Sequence, residues 1–209
     1  MNKDFYKNIK FVKNPNDITV LVNKSNKLTS DFIPNDLETL DLKCSNEGKL
    51  VKSEVKYNFE KLCNDAREYN YQIIAISAFR DYDYQNELYN YYVNTKGEEY
   101  ADSASARPGH SEHQTGLAID VMGSNNDYDL FSDSIEFEWM KNNAHKYGFI
   151  LRYPEGKEHI TGFKYEPWHY RYVGKEIAKI IYNDNLTFEE YHELHLKKDW
   201  INFVFFFTI

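Results

Sequence analysis

The chain has 209 residues, 42% of them apolar and 17% aromatic, with a formal net charge of −8. That length and apolar content suffice for one sizeable core, and the aromatic content excludes a disordered chain. The acidic residues are spread along the chain without a basic stripe, which predicts no nucleic-acid partner.

In chain order, residues 1–50 are rich in Asn, Lys and Asp and read as an irregular N-terminal arm packing on the domain. Cys44 and Cys63 lie in unlike contexts and form no C-x-x-C pair, so neither a zinc knuckle nor a disulfide framework is expected. From Ser53 an apolar stripe, Val55, Phe59, Leu62, Ala66 and Tyr69, recurs at helical spacing. "YQIIAISAF" reads as a buried strand, and "DYQNELYNYYV" returns to helical spacing with Leu88 and Tyr92 on one side. "YADSASARPGHSE" reads as a polar loop and "GLAIDVMG" as a strand. A helix is expected around "SIEFEWMKNNAHKYG", stopped by Gly148. "FILRYP" and "YEPWHYRYV" are two further strands joined by the turn-rich "EGKEHITGFK". "GKEIAKIIYND" closes the domain as a helix, and Thr187 with Glu190 in "TFEE" opens another through a capping box.

This irregular alternation predicts an α+β fold, a mixed or antiparallel sheet with flanking helices. The domain is placed at 51–192 and a C-terminal tail at 193–209, whose "WINFVFFFTI" reads as a buried strand or packed tail. No stretch is long and apolar enough to span a bilayer, and "MNKDFYKNIKF" lacks the apolar core of a signal peptide. The chain is expected to be a monomer.

The chemistry gathers in three places. His113 and Asp120 lie seven positions apart around Gly116, and a neutral imidazole with a carboxylate suits zinc. The pair alone is equally an ordinary core arrangement, and His110 rivals His113 as the ligand. "YEPWHYRYV" adds Glu166 and His169. A catalytic zinc needs three protein ligands, an open position and a nearby carboxylate base. His113, Asp120 and His169 supply the ligands and Glu166 the base. The third place is "SAFRDYDYQ", where Arg80 leaves a strand end and can stabilise an oxyanion or hold a carboxylate. Arg107 and Ser111 in "SARPGHSEH" can orient a peptide end. His192 and His195 form a helical pair that reads as a solvated face rather than a second metal site.

"SAFRDYDYQ", "SARPGHSEHQTGLAIDV", "YGFILRYPEGKEHITGFKYEPWHYRYVG" and "VNKSNKLTSDFIPNDL" together resemble the VanY-type zinc D-alanyl-D-alanine carboxypeptidases and the related L,D-carboxypeptidases, in order from Leu21 to Tyr191. The specific motifs are S-x-H-x-x-G-x-A-x-D and E-P-W-H. The resemblance implies the zinc D,D-peptidase (hedgehog-like) fold, a Zn2+ cofactor, a peptidoglycan stem peptide as substrate and action outside the cytoplasm or at the cell wall. It implies His113, Asp120 and His169 as zinc ligands, which selects His113 over His110, and Glu166 as base. It implies Arg80 as the stabiliser of the intermediate, and Gln85, Ser111 and Trp168 as substrate-lining residues. Ala78 departs from the glycine of the family's S-G-Y-R motif, and the aromatic C-terminal run has no counterpart there. The implied reaction removes a terminal D-alanine. The alternatives are an L,D-carboxypeptidase on tetrapeptide stems, a peptidoglycan endopeptidase or lysin, and an inactive wall-binding domain, against which Glu166 argues.

Overall fold

The structure is a computed structural model, and it describes residues 5–124, 127 and 130–196. The C-terminal aromatic run lies outside the described residues. The elements, in order, are β1 (Lys10–Phe11), β2 (Asn26–Lys27), β3 (Leu37–Thr39), β4 (Leu50–Lys52), α1 (Ser53–Glu68), β5 (Ile74–Ser77), α2 (Tyr82–Lys96), α3 (Glu98–Ala104), β6 (Ala118–Met122), α4 (Ile135–Asn143), β7 (Phe149–Leu151), α5 (Glu158–Thr161), β8 (His169–Tyr172), α6 (Lys175–Asn183) and α7 (Phe188–Tyr191). Two pairs, β1 with β2 and β3 with β4, are small ribbons. The main sheet is antiparallel with strand order β5-β6-β8-β7. The expected α+β class therefore holds.

Helix α1 forms where the stripe predicted it. Val55, Phe59, Leu62 and Ala66 are fully buried beneath the sheet's cover, and burying side chains of the size of Val, Leu and Phe contributes about 1.5–3 kcal/mol each. Tyr69, the last residue of the expected stripe, is 68% exposed because the helix has already ended. Capping agrees with the sequence at two helix starts. The Ser134 side chain accepts from Phe137 N at the head of α4, and Thr187 and Glu190 form the reciprocal box at α7. Gly148 stops the helical segment at φ 90°, and a Cβ there would lie 2.6 Å from the Tyr172 ring, so the position tolerates only glycine.

Three expectations are revised. The start of the expected loop, residues 100–104, belongs instead to α3, because Glu98 and Glu99 favour its positive first turn and Ala101 is fully buried. The last predicted strand begins at His169 rather than Tyr165, since Pro167 cannot donate to a ladder. Cys44 and Cys63 form a disulfide with their Cα atoms 5.9 Å apart. It joins the segment after β3 to the buried face of α1, a tertiary pairing that chain spacing does not encode.

Val20, Val22, Leu28, Leu40 and Cys44 belong to the same core cluster as α1 and the sheet. A smaller cluster of Ile150, Val173, Ala178, Ile181, Phe188 and Tyr191 lies under α6 and α7. Among the described residues, no helix is long and apolar enough to cross a membrane.

Candidate active site

The sheet register builds the site. β6 is buried along its whole length, and its Asp120 pairs with Ser77 of β5 on one side and His169 of β8 on the other. Alternation places Ile119 and Val121 in the core and turns Asp120 to the opposite face, as expected of a strand. His113 reaches the same place from a short 3-10 turn ended by Gly116 at φ 67°, where a Cβ would lie 2.9 Å from Leu37 Cδ2. The left-handed turn returns the chain onto β6 with the histidine beside the aspartate.

His113, Asp120 and His169 each offer one ligand atom, all within 4.8 Å of one another, and all three residues are buried. His113 Nε2 is 3.3 Å from Asp120 Oδ2, and His169 Nδ1 is 3.0 Å from Asp120 Oδ1. The two histidines present different nitrogens. His113 Nδ1 donates to the Ala78 carbonyl at 2.7 Å, leaving Nε2 for the centre. His113 Nε2 and Asp120 Oδ1 are buried with no hydrogen-bond partner, an arrangement that costs free energy unless a cation fills the gap. Two imidazoles and a carboxylate converging with orphaned lone pairs fit a zinc ion.

The electrostatics agree. Burial, with Arg80 nearby, lowers the His113 pKa to about 4. Burial opposes ionisation of Asp120, but His113 and His169 outweigh it and hold its carboxyl well below the usual range. For His169 burial is likewise overcome, by Asp120 and Glu112, and the pKa rises to about 9. Glu166 follows burial, which lifts its pKa to about 7, and its Oε2 stands 3.8 Å from His169 Nδ1. A carboxyl poised near neutrality beside a metal-binding group is suited to exchange protons.

All of these groups open onto one cleft of about 820 Å³, lined by Arg80, Ser111, His113, Asp120, Glu166, Trp168 and His169. Tyr84, Tyr92, Tyr100 and Tyr165 also line it, an aromatic wall of the kind that packs against a peptide or sugar. Arg80 is fixed by Nε donating to Gln85 Oε1 at 3.2 Å and Nη1 donating to Ser77 Oγ at 2.6 Å, with Asp120 Oδ2 at 3.5 Å.

Two of the expected substrate-binding residues sit elsewhere. Gln85 is 1% exposed, and its amide is occupied by Arg80, Ser105 and the Ala106 carbonyl, so it supports Arg80 from behind the wall. Arg107 is bound by Asp102 and Glu98 and lines a separate, shallower cavity of about 300 Å³. His110 lines that second cavity too, its Nδ1 2.8 Å from the Asn23 carbonyl oxygen. His192 and His195 pack on Phe188 and Tyr191, outside any metal-capable group among the described residues.

Sequence reasoning missed a buried ionic group behind the site. Glu112 Oε1 accepts from Arg152 Nε and Arg171 Nη1, both at 2.8 Å, and all three residues are essentially inaccessible. Arg152 also grips Glu189 of α7 through both terminal nitrogens, at 2.9 and 2.6 Å. The available signal was an arginine inside each of two apolar strands, "FILRYP" and "HYRYV", since an arginine is almost never fully buried without a partner.

The sequence and fold have counterparts among known proteins. The model of the VanY family, described as D-alanyl-D-alanine carboxypeptidase, matches residues 48–175. YodJ of Bacillus subtilis (strain 168), named provisionally as a carboxypeptidase, is 42% identical over 189 residues, 87% of this chain and 69% of that protein. Among solved structures, the LdcB LD-carboxypeptidase shares 40% identity with a TM-score of 0.84, covering 90% of this chain and 91% of that one. The vancomycin-resistance D,D-pentapeptidase VanY of a VanB-type cassette, solved as a variant with Zn(II), shares 32% identity with a TM-score of 0.71, covering 83% of this chain and 97% of that one. With a family match over more than half its length and close likeness in both sequence and fold, this chain belongs to the VanY family of D-alanyl-D-alanine carboxypeptidases and carries that family's metallopeptidase fold.

Proposed function

We propose that this protein is a zinc-dependent carboxypeptidase that removes the terminal D-alanine from peptidoglycan stem peptides. The observation that carries the reading is the convergence in one cleft of the metal-binding trio His113, Asp120 and His169 with a half-buried Glu166 and a fixed Arg80. The family match and the Zn(II)-bound relative support zinc as the cofactor. When bound, zinc supplies Lewis acidity to a water molecule and to the peptide carbonyl.

The chain's own residues do the rest. Glu166 takes the proton of the attacking water and passes it to the leaving amine as the C–N bond breaks. Its pKa, lifted by burial to about 7, suits both acceptance and return. Arg80, held by Gln85 and Ser77, offers its guanidinium where charge develops on the scissile oxygen. Ser111 and Trp168 line the approach, and the tyrosine wall receives the peptide stem.

A second reading, L,D cleavage of a tetrapeptide stem, is favoured by the likeness to the LdcB LD-carboxypeptidase. The two bonds differ in the configuration of the residue before the terminal D-alanine, and the same metal and base serve both. Incubation of the zinc-loaded protein with penta- and tetrapeptide stems, with mass spectrometry of the products, decides between them. Free alanine from the pentapeptide alone supports D,D cleavage, and from the tetrapeptide alone L,D cleavage. A larger fragment from either would replace both readings with an endopeptidase.

A further inference from the structure

We infer that Glu112 is a positioning residue for the metal centre, fixing the ring and tautomer of His169, and that Arg152 and Glu189 extend this support to α7. The inference rests on the reading that His113, Asp120 and His169 hold zinc. His169 turns Nδ1 towards Asp120 Oδ1, at 3.0 Å, so its proton must reside on Nε2 when Nδ1 serves as a ligand. Nε2 faces Glu112 Oε2 at 3.4 Å. A metal-binding histidine ordinarily donates its second ring N–H to a carboxylate or carbonyl, which fixes the ring and raises its basicity. His113 uses a main-chain carbonyl for this purpose and His169 a carboxylate.

The carboxylate can do this only if it is itself immobile. Both Arg152 and Arg171 donate to Oε1, which leaves Oε2 turned to His169. Arg171 is tied in turn to the Ile18 and Val20 carbonyls, and Arg152 to Glu189 by two parallel bonds. Glu189 also accepts from Asn23 Nδ2 at 3.1 Å. The result is a continuous polar path from α7 through Glu189, Arg152 and Glu112 to the far nitrogen of His169. Glutamine at 112 keeps the shape but turns a donor towards a guanidinium or the imidazole N–H.

The test compares the wild type with Glu112→Gln and Glu189→Gln by competition for zinc against a chromophoric chelator, with circular dichroism and urea midpoints of the metal-free forms recorded alongside. Glu112→Gln is expected to bind zinc about 10- to 100-fold more weakly while its metal-free form stays folded. Glu189→Gln should weaken zinc in the same direction by less. A folded Glu112→Gln with wild-type zinc affinity overturns the inference, and an unaffected Glu189→Gln overturns its extension to α7. A wild type that takes up no zinc overturns the functional reading instead. Should Glu112→Gln fail to fold, nitrogen-15 spectra of zinc-loaded wild type decide. A proton on Nε2 of His169 and on Nδ1 of His113 supports the inference, and a proton on Nδ1 of His169 refutes it.

Discussion

Glu166 and Arg80 differ in how their loss should register. Glu166→Gln keeps size and burial but cannot accept a proton, so it should retain zinc and fold while turnover falls by several orders of magnitude. Near wild-type hydrolysis of stem peptides by that variant would remove Glu166 from the base role. Arg80 is held on two sides before any substrate arrives. If it acts on charge that exists only in the transition state, Arg80→Ala should lower kcat by about 10²- to 10³-fold. Steady-state kinetics distinguishes this from a carboxylate clamp, which would raise KM and leave kcat alone. Residue chemistry was the most legible part of the sequence. Two motifs named His113, Asp120, Glu166 and His169, and the structure brings all four to one cleft. Gln85 and Arg107 were harder to place, because a motif states which residues accompany a site and not whether they face it.

At the scale of elements, α1, β5, β6, β7 and α6 were legible because each carries its own period or apolar run. Helix α3 was not, since a seven-residue helix of mostly polar residues has almost no apolar face to announce it. The disulfide between Cys44 and Cys63 was hidden for a different reason: it depends on where α1 docks rather than on anything local. It closes a loop of 19 residues, and in the chain-entropy account such a link contributes about 3 kcal/mol by restricting the unfolded chain. Cys63→Ser, or reduction of the wild type, should lower the urea unfolding free energy by about that amount. An unchanged midpoint under reductant would show that the link adds nothing to stability. A buried disulfide also suits an oxidising compartment, which agrees with the proposed action on the cell wall.

For the whole molecule, the metal centre should govern how stability varies with pH. In the metal-free protein the His113 pKa is depressed to about 4, so the unfolded chain binds more protons below pH 6.5. The stabilisation from that group is complete above 6.5 and is lost as pH falls towards 4. His169 runs the other way. Its pKa is raised to about 9, so its contribution is complete below 6.5 and is lost as pH rises through 9. Glu166, its pKa lifted to about 7, loses its contribution as pH rises from 4.5 to 7 and offsets the His113 gain. Metal-free protein should therefore hold level stability between about pH 4.5 and 6.5 and lose it above, as urea titrations across pH 4 to 9 would reveal. Stability that rises between pH 7 and 9 would contradict the raised pKa of His169. Saturating zinc should raise the Tm at neutral pH, because it binds the folded form. A chelator should reverse the gain, and no shift would argue against a metal centre.

The link between Arg171 and the backbone of the N-terminal segment bears on how the chain becomes an enzyme at all. Arg171 donates to the Ile18 and Val20 carbonyls, more than 150 residues earlier, and β8 is the strand that joins β6 to β7. During synthesis the segment from 18 to 28 and strand β6 are made long before the partner that closes them. The last metal ligand and the strand that joins β6 to β7 both await the same few residues, His169 to Tyr172. A nascent chain halted before that point lacks the third residue of the metal-binding trio and should show no stem-peptide hydrolysis. Folding should be slow, as it is for proteins dominated by distant pairings, and the onset of activity should be abrupt.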